Sequence, residues 1–141
     1  MQRRSFLKNS ALCAVAVSAS GFIKFDGKNY TGDCATTTDI IGPFYRPNAP
    51  VRNDMLIPGA TGDVVELSGV IKHKDCNTPL KGACVEIWHC DAKGVYDNNS
   101  EDFRYRGTTY TDQQGRYAFN TIMPVTYDVG NGQTRPAHFH L

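Results

Sequence analysis

The chain has 141 residues, of which 40% are hydrophobic and 21% charged, with a formal net charge of +1. That length allows one domain with a modest core, and a near-neutral balance without basic clusters removes the electrostatic basis for nucleic-acid binding. Thirteen Gly, seven Pro and frequent Val, Thr, Tyr and Phe predict many short strands joined by turns.

Residues 1–20 (MQRRSFLKNSALCAVAVSAS) open with Arg3-Arg4, run through a short apolar stretch and reach the small residues Val17-Ser18-Ala19. This is the layout of a signal peptide, and RRSFLK resembles the twin-arginine export type. Export to a periplasmic or extracellular location is therefore expected. The apolar run falls short of the ~20 residues that a membrane-spanning helix needs, so stable membrane insertion is not expected. Cys13 follows Leu12 and not a small residue, which argues against lipid attachment. Beyond the signal stand Cys34, Cys76, Cys84 and Cys90. An oxidising compartment permits disulfides among them, and the sequence does not choose a pairing.

Residues 21–63 read as an extended N-terminal arm. Gly42-Pro43, Arg46-Pro47 and Ala49-Pro50 oppose helix, so this part should run irregularly across the surface of the domain. Regular structure begins at Val64. VVELSGVIKH has strand composition, with Val65, Leu67, Gly69 and Ile71 on one face. KDCNTPLKG is a turn. ACVEIWHCDA is the next strand, Ala83, Val85 and Ile87 alternating against Cys84, Glu86 and Trp88. A long polar loop (AKGVYDNNSEDF) leads to the strand RYRGTTYTD, a tight turn DQQG and the strand RYAFNTI. MPVTYDVGNGQTRP reads as a loop, and AHFHL as the start of a final strand. Strands and turns with no convincing helix imply an all-β antiparallel sandwich over residues 64–141.

Two histidines, His138 and His140, stand one residue apart near the end of the chain. In a strand, residues i and i+2 share a face, so both imidazoles can converge on one ion while Phe139 turns away. An isolated pair is more often structural, and metal ligation needs further donors. Tyr96 and Tyr127 lie in loops after strand ends, where functional residues tend to sit. Each alone is more often a packed aromatic. Two phenolates with two neutral imidazoles, however, would favour the hard ferric ion.

Four stretches taken together, GPFYRPNAPVR (42–52), GVIKHKDCNTPLKGACVEIWHCDAKGVYDN (69–98), FRYRGTTYTDQQGRYAFNTIMPVTY (103–127) and RPAHFHL (135–141), resemble the intradiol ring-cleavage dioxygenases, the family of protocatechuate and catechol dioxygenases. The resemblance covers most of the chain after the signal. It implies a transthyretin-like or immunoglobulin-like β-sandwich that binds non-haem Fe(3+) through Tyr96, Tyr127, His138 and His140. It also implies a catecholic substrate, O2 as co-substrate, and cleavage between the hydroxyl-bearing carbons to a muconate-type diacid. Arg135 would offset negative charge on the bound substrate, and the displaced tyrosine, with Tyr127 in the catalytic role, or a bound hydroxide would accept a proton. His89 receives no metal role and is expected to be structural. Family members are commonly assembled from more than one chain, so a homo-oligomer is among the implied states. They also continue beyond the second histidine, so the sandwich is expected to be incomplete at the C-terminus. Asp128-Val129 replaces a Pro-Trp found in some members, which points to different local substrate contacts. The competing reading is a non-catalytic transthyretin-like binding module at the cell surface, for which Tyr96, Tyr127, His138, His140 and Arg135 would have no use.

Overall fold

The computed structural model describes residues 39–141 in full, together with Gly27, Lys28, Thr36 and the backbone of four two-residue strands upstream. Those strands are β1 (Val17–Ser18), β2 (Gly21–Phe22), β3 (Lys24–Phe25) and β4 (Tyr30–Thr31), paired antiparallel as β1 with β2 and β3 with β4. They fall in the unit Met1–Asp39, and a second unit spans Ile40–Leu141. Apart from the backbone of β1, the expected export signal lies outside the described residues, as does Cys34. Among the described residues no helix is long and apolar enough to cross a membrane.

The second unit is all-strand and antiparallel, as the sequence predicts. β5 (Val64–Val70) pairs with β8 (Arg116–Ile122) over seven rungs, from Val64 opposite Ile122 to Val70 opposite Arg116. β6 (Cys84–Trp88) pairs with β7 (Arg106–Tyr110) over five, from Cys84 opposite Tyr110 to Trp88 opposite Arg106. Two-residue alternation decides which side chains face in. Val65, Leu67 and Gly69 are half-buried between exposed neighbours in β5, and Val85 and Ile87 are buried in β6. The two ladders close on Met55, Val85, Ile87 and Phe119, flanked by Leu67, Ile71, Tyr117 and Phe139. Gly69 permits one close approach: a Cβ there would meet the Tyr117 hydroxyl at 2.6 Å, because the tyrosine ring lies across the glycine from the opposite strand.

Three local expectations are corrected. The arm does not simply run over the surface. Arg52 N donates to Thr108 O (2.9 Å) and Met55 N to Asn120 O (2.9 Å), so residues 50–55 tie the β7 edge to the β8 edge. Met55, only 2% exposed, enters the core. The segment read as a loop contains a small hairpin, β9 (Tyr127–Asp128) with β10 (Thr134–Arg135), which sets Arg135 opposite Tyr127. The expected final strand is reduced to a single bridge between Trp88 and His140. Trp88 is the last residue of β6, so the rung before it in that register, His138 opposite Cys90, falls beyond the strand. The alternation survives even so, with Phe139 packed in the core and the two histidines on the other side.

Cys84 and Cys90 are free thiols, one exposed and one buried, and Cys76 is disulfide-bonded.

Candidate metal centre

Tyr96 stands just after a tight turn over residues 91–95. Asp91 Oδ1 accepts from the backbone N–H groups of Lys93 (2.8 Å) and Val95 (2.9 Å), and Val95 O accepts from Asp91 N (2.9 Å). Such an aspartate-centred turn fixes where the next residue leaves. On its other side Asp97 repeats the device: its carboxylate accepts from Ser100 N (2.9 Å), Arg104 N (2.7 Å) and the Ser100 hydroxyl. Burial alone would raise the Asp97 pKa, but these hydrogen bonds outweigh it and hold the group down at about 2. Two guanidiniums converge on the Asp97 carbonyl, Arg46 at 3.3 Å and the fully buried Arg106 at 2.8 Å. Tyr96 is therefore held between two polar knots, and Phe44 stacks on its ring at 4.3 Å with an interplanar angle of 11°.

Tyr127 comes from β9, and its ring meets that of Tyr96 edge-on at 5.5 Å. Gly94 makes the approach possible: a Cβ on it would lie 2.7 Å from Tyr127 Cβ, and its φ of +78° is one that L side chains rarely adopt. His138 and His140 arrive on the last segment of the chain. His138 Nδ1 lies 2.6 Å from the Pro136 carbonyl and donates its proton there, which leaves the lone pair on Nε2. That Nε2 is 3.2 Å from His140 Nε2 and 3.4 Å from the Tyr96 hydroxyl. The Tyr127 ring is 5.8 Å from that of His138.

The four side chains singled out in the sequence thus come together. Arg135 takes its place on β10 opposite Tyr127, exposed, yet near enough that its charge opposes the upward pull on the Tyr96 pKa. Burial is the main cause of that pull, followed by the hydrogen bond with Tyr127, and the Tyr96 phenol is driven well above its ordinary value. Tyr96 is consequently a neutral phenol at ordinary pH. It becomes an anion only with a cation beside it, and ligation then releases the proton.

This donor set fits a hard trivalent ion. His138 Nε2 lies 3.2 Å from His140 Nε2 and 3.4 Å from the Tyr96 hydroxyl, so these donors can turn towards one cation. A lone pair aimed by an Nδ1–carbonyl bond is the usual support for a ligating histidine. Among the described residues no group of three or more His, Cys, Asp or Glu is placed to hold a metal, so the imidazoles depend on phenols to complete the set.

His89 is different. Its Nδ1 donates to Cys90 O and its Nε2 accepts from the Thr121 hydroxyl, both at 2.7 Å. Burial depresses its pKa to about 4, and both nitrogens are already committed within the protein. The structural role expected for it agrees with this geometry.

Sequence reasoning missed the supports. Phe44, Gly94, Arg46 and Arg106 make contacts across long stretches of chain, and none has a local pattern that marks it.

A family model described as Dioxygenase matches residues 40–141. An intradiol ring-cleavage dioxygenase of Aspergillus niger is 32% identical over 131 residues, covering 78% of this chain and 41% of that protein. A chlorocatechol 1,2-dioxygenase of Pseudomonas putida is 34% identical over 121 residues, covering 72% of this chain and 46% of that protein. Among solved structures, the dioxygenase domain of a dioxygenase–carbohydrate-binding fusion from Streptomyces sp. SirexAA-E superposes with a TM-score of 0.64 at 28% identity, over 74% of this chain and 63% of that one. The 3-chlorocatechol 1,2-dioxygenase of Rhodococcus opacus 1CP gives 0.67 at 26% identity, over 74% and 49%. The chain spans less than half the length of these two curated relatives. The family model over residues 40–141, together with the likeness to these curated proteins and solved structures, shows that the chain belongs to the intradiol ring-cleavage dioxygenase family.

Proposed function

We propose that this chain carries the iron-binding core of a non-haem ferric dioxygenase that inserts O2 into a catechol-type aromatic and opens the ring between the two hydroxyl-bearing carbons, giving a muconate-type diacid. The observation that carries the proposal is the approach of His140 Nε2 (3.2 Å) and the Tyr96 hydroxyl (3.4 Å) to His138 Nε2, with Tyr127 beside them. Tyr96, Tyr127, His138 and His140 would hold the iron. Fe(3+) would act as a Lewis acid that draws electron density from a chelated catecholate and so makes its ring reactive towards O2.

The protein's own groups do the rest. His138, oriented by Pro136, presents a lone pair without reorganisation. Tyr96, gripped by its two polar knots and the Phe44 stack, is the fixed phenol. Tyr127 stands on the small β9–β10 hairpin, outside the two polar knots, so it would be the ligand that yields to substrate, leaving as a phenolate that takes up a catechol proton. Arg135, across the hairpin from it, offsets negative charge on the substrate. The apolar lining of Phe44, Trp88 and Val125 keeps water from the site and strengthens each of these interactions.

We further propose that residues 1–20 are an export signal, 21–63 an extended arm and 64–141 the dioxygenase sandwich, with the protein acting in the periplasm or outside the cell. The family relationship and the donor convergence support the enzyme over a bare binding module, which would have no use for buried phenols facing imidazole lone pairs.

The test is an anaerobic titration of the full chain with Fe(3+) followed by catechol. The expected result is a broad visible tyrosinate-to-iron band at one iron per chain that shifts when catechol is added. A folded protein that takes up no iron, or takes it up without colour, would end the proposal.

A further inference from the structure

Trp88 has no part in the roles assigned above beyond lining, yet it meets His140 through both backbone and ring. The backbones of the two residues form a closed pair, His140 N to Trp88 O at 3.0 Å and Trp88 N to His140 O at 3.2 Å. The indole then lies flat on the imidazole, with centroids 4.8 Å apart and 3° between the planes. Tyr45 meets the indole edge-on at 5.1 Å and 65°. Its hydroxyl donates to Glu86 Oε2 at 3.2 Å, and Glu86 stands two residues before Trp88 on β6. A Cβ on Gly42 would lie 3.7 Å from His140 Cε1, so backbone without a side chain borders the imidazole there.

The indole N–H is the revealing detail. Trp88 is 7% exposed, and its Nε1 is the buried side-chain polar atom without a hydrogen-bond partner among the described residues. A buried donor left unpaired costs stability. The position gains from the broad flat face and not from the donor. The two histidines are thus steadied by different means. The ring of His138 is fixed by its bond to the Pro136 carbonyl, and that of His140 is pressed against an aromatic plate.

We infer that Trp88 is a positioning residue for His140: its indole face, buttressed by Tyr45, sets the imidazole plane so that Nε2 points at the site shared with His138 and Tyr96. The inference rests on the reading of His140 as an iron ligand. Ligand supports of this kind typically change metal affinity by ~10–100-fold when removed. Free rotation of the ring would also spread the ligand field over many geometries.

The test compares Trp88→Phe and Trp88→Leu with the full wild-type chain, reading the Fe(3+) dissociation constant and the high-spin ferric electron paramagnetic resonance spectrum. Before iron is added, the ring-current shift of the His140 Cε1 proton is read as well. Trp88→Phe keeps a flat face and should stay within ~3-fold of wild type in affinity, with a narrow spectrum. Trp88→Leu should lose ~10–100-fold, broaden the spectrum and return the Cε1 proton towards its unstacked position. Tyr45→Ala, which leaves Trp88 and His140 in place, should move all three readouts the same way by less, and it keeps the test decisive if Trp88→Leu does not fold. Wild-type affinity and line shape in Trp88→Leu, or in Tyr45→Ala should the former not fold, would overturn the positioning role. So would a loss in Trp88→Phe as deep as in Trp88→Leu, because the N–H would then be the group that matters. A wild-type chain that binds no iron would instead overturn the ligand reading, and the inference with it.

Discussion

The two buried clusters of the Ile40–Leu141 unit are made differently. One, Met55, Val85, Ile87 and Phe119, has no polar side-chain atom and joins the two ladders. The other, Trp88, Cys90 and Tyr96 with Phe44, Val125 and Tyr127, is largely aromatic and carries hydroxyl, thiol and indole groups, and the imidazoles of His138 and His140 border it. The first is specified by strand alternation. The second is assembled from a strand end, two loops and a hairpin, and it is held by hydrogen bonds to backbone carbonyls and carboxylates. The difference separates a region that needs only to exclude water from one that must aim particular atoms.

Substitutions should therefore divide by cluster. The largest effect is expected from His140→Ala or His138→Ala, which remove a donor: ring-cleavage activity should fall by ~10³-fold or more, equivalent to about 4 kcal/mol, while thermal stability changes little. Activity and Tm measured on the same preparation check both halves. Ile87→Ala should do the reverse, costing about 2–5 kcal/mol in chemical denaturation, with the iron band unchanged in whatever remains folded. If the band vanished before the fold did, the clusters would not be separable.

A third prediction concerns His89, wedged between the clusters against Tyr105 and Phe139. Its pKa is about 4 in the fold, against an ordinary value of 6.5. Between those values the unfolded chain binds a proton that the folded chain refuses, so stability is full above about pH 6.5 and declines as pH falls towards 4. The loss from this residue should reach roughly 3 kcal/mol. Urea midpoints at pH 7.5 and pH 4.5 should differ in wild type and differ less in His89→Gln. Smaller again is Gly94→Ala, where the left-handed φ costs about 1–2 kcal/mol. The new methyl group presses on Tyr127 Cβ, so the tyrosinate band should shift in wavelength and keep its intensity. An unmoved band would mean that Tyr127 is not a ligand or that its hairpin gives way. The smallest effect belongs to Cys84→Ser, on the exposed face of β6 and away from both clusters, for which a change within about 0.5 kcal/mol is expected.

The legibility of the sequence follows the same division. RYAFNTI coincides with β8, and Val65, Leu67, Val85 and Ile87 face inward as alternation requires, because a half-buried strand writes its burial into adjacent residues. The His138–His140 geometry was legible for the same reason, since it depends only on residues two apart. Tyr96 and Tyr127 stand out in the sequence only as loop tyrosines, and their ligand role comes from family resemblance, not spacing. The hairpin at Tyr127 was missed because two residues per strand give no periodicity to detect. Met55 was missed because its burial depends on pairing of residues 53–55 with Asn120, far along the chain. Trp88 was placed on the outer face by alternation but is buried, because the segment carrying His140 covers it.

The nesting of the ladders bears on how the chain reaches this state. β5 and β8 join residues 46 to 58 positions apart, and the shorter-range β6–β7 pair lies between them in sequence. Bringing the outer strands together early would forfeit much chain entropy for little contact. The economical route forms the inner pair first and encloses it afterwards, and topologies dominated by such distant pairings fold slowly. Tyr96 sits within the loop of the inner pair, whereas Tyr127, His138 and His140 follow the last outer strand. The four donors therefore meet only when folding is nearly finished, and an ion captured by the complete set reports that the outer ladder has closed.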